Sequence, residues 1–296
     1  MTNNNIGRVV LWMSGALLAF SMMAVSIREL AGVLNVFEIL AIRSGSGVII
    51  LLLLATFRPP LRTLLFTRRI GLHALRNITN FSAQVAWAMG IVLLPFATVF
   101  ALEFTTPLWV AVFAVIILGE RLTSGRLASV VLGFLGVLVI VRPGMETFQP
   151  AALLVLGSAV GFAITSIFTK KLIVTDSTFT ILFWMNLMQL PLNLAGSDLG
   201  FLARLDHTHA LPVLGIIISG ISSHYCLTNA FRSGDAILVM PLDFLRIPLI
   251  AMIGWFFYGE LLDLAVVLGA SLIIAGIVWN LVAESRHPVS GPASGR

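Results

Sequence analysis

Apolar residues run along this chain in long blocks, broken by short clusters of Arg, Glu, Pro and Gly. A helix that crosses a bilayer needs about 20 consecutive apolar residues. Ten blocks of about that size follow one another, over 8–27, 36–57, 72–93, 97–118, 124–141, 150–169, 178–194, 211–231, 236–257 and 262–282. The breaks carry turn chemistry: Arg58-Pro59-Pro60, Pro95, and Arg142-Pro143-Gly144. The first block is long for a signal peptide and has no clean cleavage site after it, so it is read as the first span. The residues after Glu284 are rich in Pro, Ser and Gly and are expected to be disordered.

The blocks repeat. Laying Leu102 on Leu242 also lays Phe104 on Phe244, Gly119 on Gly259, Glu120 on Glu260 and Gly136 on Gly276, and Glu103 falls on Asp243. A fixed offset of 140 residues therefore relates the two halves. The expected units are 1–145, 146–284 and a tail of 285–296. Five spans per half is an odd number, so the second half enters from the opposite face. The fold class is an all-α membrane protein of ten helices in a five-plus-five inverted repeat, an arrangement suited to alternating access.

Composition agrees. The chain is 58% hydrophobic and 10% charged, against about 25% charged in a soluble domain. A net charge of +5 is compatible with nucleic-acid binding, but the basic residues sort by side. With the N-terminus inside, 12 Lys and Arg fall in inner segments, 3 in outer loops and 3 within spans. That bias predicts cytoplasmic termini in a plasma or inner membrane and accounts for the basic charge without nucleic acid; the lipid bilayer is the expected partner of the apolar blocks. Cys226 is the single cysteine, so no intrachain disulfide exists.

The run FTTPLWVAVFAVIILGERLTSGRLASVVLGFLGVLVIVRPG (Phe104 to Gly144), with its weaker copy from Phe244 onward, resembles the EamA family of the drug/metabolite transporter superfamily. The resemblance covers almost the whole chain and implies a central cavity at mid-membrane and transport of small metabolites, with amino-acid export as the expectation. One departure is that Pro248 aligns with Leu108 rather than Pro107.

Charged groups inside spans cost about 2.5–3.5 kcal/mol each, so they face a cavity or a partner. Here they are Glu38, Glu103 and Asp243 against Arg43, Arg76 and Arg246, with His224 as a further titratable group. Asp243 and Arg246, three apart, are expected to pair. Glu38 and Arg43 lie near a span end, where snorkelling competes with a site role. Arg76, Asn80, Gln84 and Trp87 recur at helical spacing and form one polar stripe, expected to line a wet cavity rather than act as interhelical glue. Glu103 and Thr106 precede Pro107, which frees a carbonyl one turn back; Glu103 and that carbonyl are candidates to hold an ammonium group or a proton. Asp243 is expected opposite Glu103, and both are the proton-coupling candidates. Phe104, Trp87 and Trp184 are candidates for an apolar pocket wall. Glu120 and Glu260 are expected at the N-termini of the fifth and tenth spans. Gly119, Gly133, Gly136, Gly269 and Gly276 read as close-packing positions.

Three bases and three acids suit a zwitterion, so the expected function is a secondary exporter of amino acids. Nucleotide-like or cationic metabolites are the alternative substrates. No GxxxxGK[ST] loop is present, so ATP is not the driver, and no HExxH or Ser-His-acid spacing supports a membrane-embedded enzyme. No cofactor and no metal site are expected. A non-transporting scaffold has little reason to bury six charges. The pattern sets no oligomeric state, and a monomer is compatible with it.

Overall fold

In the computed structural model the described residues are 6–106, 108–110, 112–113, 124–141, 149–233, 246–261 and 263–286. The α-helices are α1 (Ile6–Leu30), α2 (Val36–Phe57), α3 (Ile70–Leu93), α4 (Phe96–Glu103), α5 (Ser124–Val141), α6 (Ala151–Leu172), α7 (Thr178–Ala195), α8 (Ala210–Ser233), α9 (Arg246–Tyr258) and α10 (Leu264–Arg286). Short 3-10 turns cover Pro59–Leu65, Phe201–Arg204 and His207–His209. Among the described residues, four helical stretches are long and apolar enough to cross a membrane, and Phe96–Val110, Val131–Ile140 and Leu264–Gly276 are shorter apolar helices. The order of helices fits the ten expected blocks.

Local sequence explains the helix ends. Asn35 caps α2 in a box with Glu38: the Glu38 amide donates to the Asn35 side chain, and the Asn35 amide donates back to Glu38. Arg58-Pro59 closes the same helix. Ser177 caps α7 through the Thr180 amide. Glu38 therefore does not snorkel. It is 1% exposed, pairs with Arg204 and accepts from the Asp198 amide, tying the start of α2 to the loop before α8. The long loop that wraps back over α2 is what buries it.

The helices pair as antiparallel couples. Gly47 of α2 faces Asn186 of α7, while Phe37 faces Gly196 just past the end of that helix, so one chain rises as the other falls. The same crossing holds for α1 with α8 (Gly15 against Cys226, Ser26 against Gly215) and for α3 with α6 (Ala83 against Gly161, Gly90 against Val155). In α5 and α10, Gly136 meets Ile273 and Ile140 meets Gly269. Advancing each helix by five exchanges the α1–α8 pair with the α3–α6 pair and returns α2–α7 and α5–α10 to themselves. Repeat mates that pack antiparallel define an inverted repeat. The expected close-packing role holds at Gly136 and Gly269, where the two backbones touch. Gly119 lies outside the described residues.

The apolar core gathers Ile27, Ile91, Phe96, Phe100, Leu102, Ile250 and Ile273. Leu11, Phe57, Trp255 and Phe256 point outward, where a membrane protein meets lipid. One end of the bundle is tied by Arg28, which pairs with Glu260 and donates to the Ile91 and Leu94 carbonyls at the end of α3. Glu260 also accepts from the Phe96 amide at the start of α4. The expected service of Glu260 to the tenth span is thus corrected: it caps α4, and Asp263 caps α10 through the Ala265 amide. Gly259, at φ +62°, turns the chain so that Glu260 reaches across. Glu120 lies outside the described residues.

The other end is tied by Asp176, between α6 and α7. It accepts from Thr67 and meets His73 Nε2 at 2.7 Å. Burial alone would raise the Asp176 carboxyl; the hydrogen bonds from His73 and Thr67 prevail and hold it below the ordinary 3.8.

Candidate functional site

The polar stripe of α3 is buried along its length, but its four members do different things. Arg76 donates to Thr169 on α6 (3.2 Å) and to the neighbouring Asn77 (2.9 Å). Asn80 accepts from Gln189 at 2.8 Å. Gln84 accepts from Arg43 at 2.8 Å. Trp87 donates its indole N–H to Glu103 at 2.8 Å. Only Gln84 and Trp87 reach the central cavity; Arg76 and Asn80 are absorbed between α3 and its neighbours.

That cavity lies between α1, α2, α3, α4, α6 and α8, with a volume of about 40 Å³. Arg43, Gln84, Trp87, Glu103 and His224 supply its polar wall, and Phe20 and Phe162 supply apolar faces. Gln84 and His224 are repeat mates at the offset of 140 residues and both line the cavity, so the pseudo-twofold runs through it. The space has room for a few waters and no more. Admitting a metabolite requires the surrounding helices to part.

Arg43 is 1% exposed at the middle of the bundle rather than snorkelling to a span end. Its Nη2 donates to Gln84 and to Gln189, each at 2.8 Å. Gln189 therefore bridges Arg43 and Asn80, joining α2, α7 and α3. The sequence shows Gln189 only as a polar residue of the seventh span. The signal that finds it is the 186, 189, 193 spacing of three side chains on α7, all fully buried against α2.

Glu103 ends α4, where the chain turns at Phe104-Thr105 before the helix resumes. Its Oε1 accepts from Arg246 of α9 at 3.2 Å. The Arg246 guanidinium lies 5.0 Å from the Phe20 ring centre and 5.4 Å from that of Phe104, so aromatic faces add to its stabilisation. Of the pairing expected for Arg246, the described ion pair goes across the repeats to Glu103; Asp243 lies outside the described residues. The Glu103 carbonyl, to which a proline at 107 has no N–H to donate, accepts from the Thr106 hydroxyl at 2.6 Å. A threonine next to the proline closes the bond the proline opens. Phe104 is buried beside Arg246 rather than on the cavity wall.

Trp184 is a correction. Its indole N–H donates to the Leu65 carbonyl at 3.1 Å and its ring packs near His73 and Phe183, away from the cavity. It anchors the Pro59–Leu65 turn to α7 and is not among the residues that line the cavity. Among the described residues no cluster of His, Cys, Asp and Glu could hold a metal ion.

Comparison with known proteins accounts for this architecture. The chain is 31% identical over 234 residues to a riboflavin transporter of Rhizobium johnstonii, covering 75% of this chain and 77% of that protein. It is 27% identical over 278 residues to an S-adenosylmethionine uptake transporter of Rickettsia prowazekii, covering 94% and 93%. A pseudopaline exporter, CntI, of Pseudomonas aeruginosa is 26% identical over 276 residues, covering 90% and 95%. These relatives include both uptake and export. A solved crystal structure superposes at TM-score 0.64 and 17% identity over 94% of this chain and 98% of that one, which shows the shared fold. The model of the EamA-like transporter family matches residues 7–142 and 149–282. The chain therefore belongs to the EamA-like transporter family: it is a multi-pass membrane carrier of small molecules and not an enzyme.

Proposed function

We propose that the chain carries small zwitterionic metabolites, amino acids and their derivatives among them, through the cavity between its two repeats. The observation that supports this is a buried cation and a half-buried carboxylate, Arg43 and Glu103, lining one small cavity together with Phe20, Trp87 and Phe162. Export of amino acids is the narrower case; nucleotide-like or cationic substrates are the alternative. S-adenosylmethionine, the substrate in one relative's name, itself has an amino-acid head.

Transport proceeds by rocking of one repeat against the other. The Arg28–Glu260 tie and the His73–Asp176 tie close opposite ends of the bundle, and each opens in turn. Glu103, bonded by Arg246 and Trp87, is the proton-coupling group proposed for the first repeat, and Asp243 its counterpart. Repeat units of 1–145 and 146–284 and cytoplasmic termini complete the reading, on the Lys and Arg bias.

The test is flux from proteoliposomes loaded with labelled amino acids. Release faster than from protein-free liposomes, and lost in Glu103→Gln, is expected. Equal release from both, alongside rapid flux of a nucleotide or an organic cation, would transfer the assignment to the alternative.

A further inference from the structure

Arg43 carries five N–H groups. Two bonds, from Nη2 to Gln84 and to Gln189, account for that nitrogen. Nε and Nη1, with three N–H groups between them, are buried and have no partner among the described residues. A guanidinium at 1% exposure with unspent donors is an expensive group to leave in place. The surrounding side chains keep it there deliberately: Gln84 and Gln189 offer it neutral oxygens, where a carboxylate would have neutralised it. A Cβ added at Gly220 would sit 2.5 Å from Arg43 Cγ, so that glycine leaves room for the stem.

Charge narrows the group that docks. Glu103 already has Arg246. Arg76 spends Nε and Nη1 on Thr169 and Asn77 and stays off the cavity. Of Arg43 and Arg76, both bonded only to neutral groups, Arg43 alone lines the cavity, and a single carboxylate group matches its free edge.

We propose that Arg43 is a receptor for the carboxylate of the substrate, and that Gln189 and Gly220, neither of which lines the cavity, are positioning residues that hold its unspent edge toward the ligand. This rests on the transport reading above and names the substrate group that reading leaves unassigned. Neutralising Arg43 from inside the protein should then compete with the substrate. Gln189→Glu does this with almost no change of shape.

The experiment is ligand-induced thermal stabilisation of the purified full chain. The probes are the standard L-amino acids, their carboxamides, and inorganic phosphate. At least one acid is expected to bind wild type about ten- to a hundredfold more tightly than its carboxamide, the worth of a hydrogen-bonded charge. Phosphate is expected not to compete. Gln189→Glu, in which Asn80 turns its amide to donate where it now accepts, is expected to fold with a Tm near that of wild type and to lose that acid preference. Gln189→Leu is expected to lower it, and Arg43→Gln to abolish it. Equal binding of acid and carboxamide, no binding of any acid, tighter binding of phosphate, or full acid preference in Gln189→Glu would each overturn the proposal. Proteoliposome flux separates the two claims. Acids that bind selectively but are not moved leave the receptor standing and remove the transport reading. Flux without acid preference does the reverse.

Discussion

Gly220→Ala adds one methyl group, and the structure fixes what it strikes. The new Cβ would lie 2.5 Å from Arg43 Cγ and 3.3 Å from its Cδ, where ordinary contact begins at 3.4 Å. The Arg43 stem must retreat by about 1 Å. It cannot swing freely, because its head is bonded to Gln84 and Gln189 at 2.8 Å each. Either the helices spread, at about 1–3 kcal/mol for an overpacked interior, or the head bonds lengthen, each worth about 1.5–3 kcal/mol for a charged donor. Replacing a helical glycine returns about 0.5–1 kcal/mol. The net expectation is a loss of about 1–2 kcal/mol, a fall of a few degrees in Tm for a chain of this size. Thermal unfolding in detergent reads it, with Gly157→Ala as the control, since nothing lies within 4 Å of a Cβ at Gly157. The control is expected to be neutral or slightly stabilised. Gly220→Ala with an unchanged Tm and unchanged flux would refute the idea that the arginine stem is confined.

Three further outcomes are expected. Gly136→Ala should destabilise by about 1–3 kcal/mol in the same unfolding assay, because its Cβ would meet the Gly269 carbonyl oxygen at 2.6 Å and backbone cannot step aside as a side chain can. Arg28→Gln, Glu260→Gln and the double variant should show a coupling of at least about 0.5 kcal/mol in unfolding, as expected for partners in contact; additive losses would dissolve the tie at that end of the bundle. Asp176 has its carboxyl held below the ordinary value, so its stabilisation is present above about pH 4 and lost as pH falls through the folded pKa. The stability gap between wild type and Asp176→Asn should therefore narrow as pH falls below about 4, measured by unfolding across pH; a gap that does not narrow there contradicts the pairing.

Much of this was legible in the residues. The offset of 140 that lays Glu103 on Asp243 also lays Gln84 on His224, and both members of that second pair line the cavity. The spacing of Arg76, Asn80, Gln84 and Trp87 named a buried face correctly, since helical periodicity reports which side is inward. It could not say which inward group meets a neighbouring helix and which meets the cavity, because that depends on partners from α2, α6 and α7. Trp184 and Glu260 failed for the same reason. Each finds its partner more than a hundred residues away, Leu65 for one and Phe96 for the other. Arg43 lies two turns inside α2, as counting residues places it; counting could not show that α3, α7 and α8 close over it there and leave it 1% exposed. Thr106 shows the limit of local rules: the proline's effect was read, and its repair by the adjacent hydroxyl was not.

The central claim is that the cavity between the inverted repeats opens to both sides of the membrane. Phe162→Cys in a Cys226→Ser background places one thiol on the cavity wall. A membrane-impermeant thiol reagent is then applied to either face of sealed vesicles. The account predicts labelling from both faces, slowed when transported substrate is present. A thiol that reacts from neither face, or from one face alone under every condition, would contradict it.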